Sequence, residues 1–143
     1  MEDINKNIQP LEAVNICIKE NKLLKSSLKK FRKVIHKCKR DSVALEFPEV
    51  FNELKSLEEQ FDLQEKVLFP LLLKEPQTPA VTTLYEQHDE IRATFKSVLS
   101  AYERGHTAEL CSYSKQLVHE IHEIITIEEK IIFPSIPGLS EKG

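Results

Sequence analysis

Glycine is nearly absent from this chain, with three in 143 residues. That excludes a glycine-rich phosphate cradle, whose backbone must approach the anion at several positions where a Cβ would intrude. The three cysteines, Cys17, Cys38 and Cys111, form no CxxC pair. Neither a zinc knuckle nor a disulfide framework is therefore expected, and an odd set of thiols suits a reducing compartment. No apolar run is long enough to span a membrane, and the opening MEDINKNIQP is too polar and acidic for a signal peptide. The expectation is a soluble cytoplasmic protein. Positive charge is not in excess either: the net charge is −3, so bulk attraction to nucleic acid or to a membrane is not expected. The basic run from Lys25 to Arg40 has no aromatic residues interleaved on its polar side and reads as a solvated helix face. No serine or cysteine nucleophile constellation appears. An enzyme would have to be metal- or cofactor-based, and the expectation is that the chain is not one.

What is present favours helix: Lys, Glu and Leu are abundant, and the length suits a single domain over residues 1–143. Four apolar stripes recur at steps of three and four. The first, roughly 10–39, contains Leu11, Val14, Ile18, Asn21, Leu24, Leu28, Phe31, Ile35 and Cys38. The second, roughly 48–72, contains Val50, Leu54, Leu57, Phe61, Gln64, Leu68 and Leu71. The third, roughly 79–103, contains Val81, Leu84, His88, Ile91, Phe95, Val98 and Tyr102. The fourth, roughly 108–132, contains Leu110, Ser114, Leu117, Ile121, Ile124, Glu128 and Ile131. Pro48 suits the first turn of the second helix, and Thr78-Pro79 an N-cap and first-turn proline for the third. Gly105 closes the third helix and Thr107 is placed to cap the fourth. Pro70 and Pro134 end the second and fourth helices, each inside a near-identical phrase, EKVLFP at 65–70 and EKIIFP at 129–134. The connections are short, which predicts an all-α, up-down-up-down antiparallel four-helix bundle.

Each stripe carries a polar residue that a plain core would not choose: Asn21, Gln64 with Gln60 one turn earlier, His88, and Glu128. His36 flanks Ile35 at the end of the first helix. A buried carboxylate or imidazole is costly unless it is paired or binds a metal. Bundles build metal sites from such inward side chains. The same residues can instead form a buried hydrogen-bond network that fixes register, which is the better account of the amides Asn21, Gln60 and Gln64. His106 follows Gly105 in a loop. The HxxH pair His119 and His122 lies off the apolar stripe and is expected at the surface, as are Glu65 and Glu129, paired with nearby lysines.

The stretches LQEKVLFPLL, LYEQHDEIRATF and TIEEKIIFPSI resemble a hemerythrin-like domain, a four-helix bundle family that usually holds a non-haem di-iron centre. The layout, with KVIH closing the first helix, is most similar to the branch implicated in nitric-oxide stress and iron–sulfur cluster repair. By this resemblance His88 matches the histidine of the third helix, Glu128 the bridging carboxylate of the fourth, and His36 the late histidine of the first. The other ligand positions depart from the family. An early histidine of the first helix falls on Asn15 or Asn21, a His-x-x-x-Glu pair falls on Gln60 and Gln64, and a histidine of the fourth helix falls on Ile124. The resemblance thus implies the frame of a di-iron site with a depleted ligand set, and a normal di-iron centre is not expected.

Four functions follow. The first is a binding or sensing module that uses the bundle interior for a small ligand or metal. The second is a mononuclear iron or zinc site from His36, His88 and Glu128 that binds oxygen or nitric oxide. The third is a haem-binding bundle with His36 and His88 as axial ligands, Cys17 or Cys38 as weaker candidates, and Gln60, Gln64 and Ile124 making room. The fourth is a cofactor-free scaffold or homodimerisation module.

Overall fold

A computed structural model of the chain describes residues 8–36, 43–72 and 80–136. Among these residues there are four helical rods and no strands. Helix α1 is Pro10–His36. Helix α2 spans 43–72 as a series of pieces: Val43–Leu54, Ser56–Leu63, a π turn at Gln64–Leu68, and a final turn Phe69–Leu72. Helix α3 is Ala80–Glu103. Helix α4 spans 107–135, running as Thr107–Ile127, a second π turn at Glu128–Ile132, and a 3₁₀ turn Phe133–Ser135.

The pairings fix the direction of each rod. Between α1 and α2, Gln60 bonds to Asn21 whereas Glu53 accepts from Ser27, so the two run in opposite directions. Between α2 and α3, Phe51 meets Phe95, Phe61 meets His88 and Phe69 meets Tyr85. Gln116 of α4 bonds to Thr94 of α3, and Asn21 of α1 to Glu128 of α4. This is the expected antiparallel four-helix bundle. Its core is one continuous apolar cluster in which Phe31, Phe47, Phe61, Phe69 and Phe133 are almost fully buried, each contributing about 1.5–3 kcal/mol relative to exposure. No helix among the described residues is long and apolar enough to cross a membrane.

The two π turns account for most differences from the sequence expectation. In the first, the Phe69 N–H bonds back to the Gln64 carbonyl; in the second, the Phe133 N–H bonds to the Glu128 carbonyl. Each is five residues back rather than four. The next residue is Pro70 or Pro134, which has no N–H and whose ring would press on the carbonyl four residues earlier in a straight α-helix. A wider turn gives that ring space. It also inserts a residue into the face that turns inward. Hence Ile131, expected in the core, is 59% exposed while Ile132 is buried, and Leu72 rather than Leu71 is the buried end of α2.

Smaller corrections concern the caps. Helix α2 begins at Val43, so Pro48 lies within it rather than in its first turn. His106 is the residue preceding α4, and Thr107 is its first helical residue. Gly105 closes α3 at φ 68°, the left-handed conformation in which glycine alone is unstrained. Cys17 is a free, buried thiol, but Cys111 is disulfide-bonded. The odd cysteine count therefore no longer argues for a reducing compartment. Cys38, the Thr78-Pro79 cap and the tail from 137 onward lie outside the described residues.

Candidate interior site

Three of the four rods converge on the Glu128 carboxylate. Asn21 comes from the middle of α1, Gln60 and Gln64 from adjacent turns of α2, and Glu128 from the first position of the α4 π turn; all four are buried. Asn21 Nδ2 donates to Glu128 Oε1 at 3.0 Å, Gln60 Nε2 to the same oxygen at 3.2 Å, and Gln64 Nε2 to Oε2 at 2.9 Å. Gln60 Nε2 also donates to Asn21 Oδ1 at 2.8 Å. The buried Cys17 thiol completes the group, with Gln64 Nε2 3.8 Å from Sγ. Burial pushes the Glu128 carboxyl up to about 7, against the amide donors that favour its ionised form. Burial likewise pushes the Cys17 thiol up to about 12, with the Glu128 charge adding to the effect.

His88, fully buried on α3, lies in an aromatic slot. Its ring stacks on Phe61, with centroids 3.7 Å apart and planes 8° apart, and Phe69 lies 5.2 Å away. Burial lowers its pKa to about 4, although Glu65 partly offsets the shift. The ring is therefore neutral at pH 7. Its Nδ1 lies 2.7 Å from Glu65 Oε2, which fixes the tautomer: Nδ1–H donates to the carboxylate and Nε2 carries the lone pair. Glu65 is also held by Arg92 at 3.0 Å.

The cluster leaves acceptors over. Gln60 Oε1, Gln64 Oε1 and His88 Nε2 are buried and have no hydrogen-bond partner. Buried acceptors without donors are rare and mark a place where a donor or a positive charge is wanted.

The predicted site residues therefore separate. Gln60 and Gln64 join Glu128, together with Asn21. His88 sits beside Glu65, within its own aromatic slot. Ile124 is buried in the core and borders a surface cleft with Gln87, Glu90 and Glu120. His36 is exposed at the end of α1, beside Arg32 and Lys115. It lies fifteen residues from Asn21, about 22 Å along the helix. The set His36, His88 and Glu128 therefore does not assemble, and no group of three His, Cys, Asp or Glu side chains among the described residues comes together around a metal position. Asn15 is exposed, so Asn21 is the inward asparagine. His119 and His122 are exposed, and His119 pairs with Glu123 at 3.2 Å.

Sequence reasoning missed Glu65. It was expected at the surface beside lysines, but its side chain is only 18% exposed and it grips His88 and Arg92. The π turn lets Gln64 and Glu65 both face inward while Leu68 stays buried. The signal was available in the spacing. Gln60, Gln64, Leu68 and Leu72 follow one another in steps of four, and a straight helix of 3.6 residues per turn does not keep such a run on one face. Glu129 behaves as expected, pairing with Lys25 at 2.8 Å.

These residues do not fit the paired iron ions that the resemblance implies. The donor set around Glu128 is one carboxylate and three neutral amides, and the N–H groups of those amides already occupy the carboxylate oxygens. Amide groups cannot balance two ferrous or ferric charges as carboxylates do.

No curated protein and no solved structure gives a significant match to this sequence. The hemerythrin HHE cation-binding domain matches residues 12–136, nearly the whole of the bundle. The chain belongs to the hemerythrin HHE cation-binding domain family.

Proposed function

We propose that the chain is a binding or sensing module of this family that works without a di-iron centre and is not an enzyme. One observation carries this reading: three amide side chains donate to Glu128, the one fully buried carboxylate among the described residues, and the acceptors left over at Gln60 and Gln64 ask for a small ligand rich in hydrogen-bond donors. Asn21, Gln60 and Gln64 hold and orient Glu128. Within the family, the proposal includes kinship with the branch implicated in nitric-oxide stress and iron–sulfur cluster repair, and the KVIH ending of α1 and the spacing to Phe69-Pro70 are what support it. A homodimer is part of the same proposal.

A second reading rests on His88 alone. A neutral imidazole whose Nδ1–H is anchored by a carboxylate, and whose Nε2 is unpartnered, is oriented as histidines that bind metals or haem are. His36 is too distant to serve as its partner in the same site.

Elemental analysis and visible spectra of the full chain, before and after anaerobic addition of ferrous iron and then haem, separate these readings. The first predicts substoichiometric iron and no Soret shift. A Soret shift lost in His88→Ala would favour the second. Two irons per chain would overturn both.

A further inference from the structure

At the other end of α1 lies a cleft of about 190 Å³, lined by Arg32, Ile35 and His36 from α1 and by Lys115 and Val118 from α4. Ile35 and Val118 are core residues, each 7% exposed, and form its floor. Arg32, His36 and Lys115 are exposed at its rim. No carboxylate pairs with any of the three among the described residues, whereas Lys25, Lys30, Arg92 and Arg104 each have an acidic partner. Arg32 and His36 are one turn apart on the same face, and Lys115 and Val118 are one turn apart on the facing helix. The result is an apolar floor beneath two permanent cations and an imidazole.

We propose that this cleft binds a small organic anion, with a carboxylate or phosphate head held by Arg32 and Lys115 and a compact apolar body on Ile35 and Val118. The size suits it: a cavity of about 150 Å³ accepts a benzene ring. The charge suits it as well. Arg presents a planar fork to oxyanions, and Lys adds a compact second charge. The negative end of the α1 dipole opposes an anion here, but about half an elementary charge is outweighed by two whole ones. This site is separate from the Glu128 cluster, and neither depends on the other.

The test uses the full chain with methyl resonances of Ile35 and Val118 as the readout. The probes are benzoate, phenyl phosphate, inorganic phosphate and benzyl alcohol. Benzoate or phenyl phosphate is expected to shift both methyl groups, and the tighter of the two identifies the preferred head group. Benzyl alcohol lacks the charge and inorganic phosphate lacks the apolar body, so each is expected to bind at least about tenfold more weakly. Arg32→Gln and Lys115→Gln, both at exposed positions, should each weaken binding about tenfold with an unchanged melting temperature, and added salt should weaken it further. The proposal is overturned if neither aromatic anion moves the two methyl groups, if benzyl alcohol binds as well as benzoate, or if both charge variants bind as the parent does.

Discussion

EKVLFP and EKIIFP are nearly the same phrase and form the same backbone device, a π turn closed by a Phe-Pro pair. Their chemistry differs. At the first turn, the leading inward residue is the neutral Gln64, and the carboxylate after it, Glu65, meets an imidazole and a guanidinium in a half-buried niche. At the second, the leading residue is the buried Glu128, and the carboxylate after it, Glu129, meets a surface lysine. The backbone thus decides where a side chain goes, and the identity of one residue per turn decides whether the interior holds two carboxylates or one. With two, the centre would have strong reason to hold cations. With one, three amides offset part of its desolvation.

The sharpest way to break this difference is to make the turns alike. Gln64→Glu would set a second carboxylate where Gln64 Nε2 now donates to Glu128 at 2.9 Å. Two desolvated like charges so close cannot both ionise. The variant is expected to lose about 3–4 kcal/mol at pH 8 in urea denaturation, most of it regained at pH 5, where one shared proton relieves the repulsion. Zinc or ferrous iron should stabilise the variant and leave the parent unmoved. A variant as stable as the parent at pH 8 without metal would show that the first turn does not aim its leading side chain at Glu128.

The second comparison is between the two adjacent acids of the second turn. Glu128→Ala removes the acceptor for three buried amide donors and leaves a polar void, at a cost of about 2–3 kcal/mol. Glu129→Ala removes a partly exposed ion pair with Lys25 and should cost at most about 0.5 kcal/mol after solvent screening. Equal losses, measured by denaturant unfolding, would mean that the buried network contributes no more than the surface pair.

Most of the fold was legible because apolar spacing records which face of a helix is buried. Val14, Leu24, Phe61, Ile91 and Leu117 all fall where the stripes place them. The stripes fail where the period changes. Ile131 and Leu71 follow from 3.6 residues per turn, and the wider turns beside Pro134 and Pro70 shift the register of both. Half of the site was legible for the same reason. Asn21, Gln64 and Glu128 lie on their stripes, Gln60 lies one turn before Gln64, and the four converge. Glu65 does not, because only the π turn brings it inward. His36 was drawn into the site by resemblance, while about 22 Å of helix separates it from Asn21.

The smallest effect tests the charge state of Glu128 against that of His88. The folded Glu128 pKa of about 7 is raised from 4.5. Its stabilising contribution is complete below pH 4.5 and is lost as the pH rises to 7, because the unfolded chain releases this proton first. The folded His88 pKa of about 4 is lowered from 6.5. Its contribution is complete above pH 6.5 and is lost as the pH falls towards 4. The two slopes oppose each other between pH 4.5 and 6.5, so they tend to flatten the stability of the parent there. Glu128→Gln keeps the shape and lets Gln60 or Gln64 turn an unpartnered Oε1 towards the new amide, so the packing has no reason to fail. The variant should be about 1–2 kcal/mol more stable than the parent at pH 8, since it no longer buries a charge. That advantage should shrink as the pH falls to 4.5. With the Glu128 slope gone, the variant should also destabilise on acidification more steeply than the parent, following His88 alone. Urea midpoints at half-unit pH steps measure the difference, and parallel profiles for the two proteins would show that Glu128 titrates as an ordinary carboxylate.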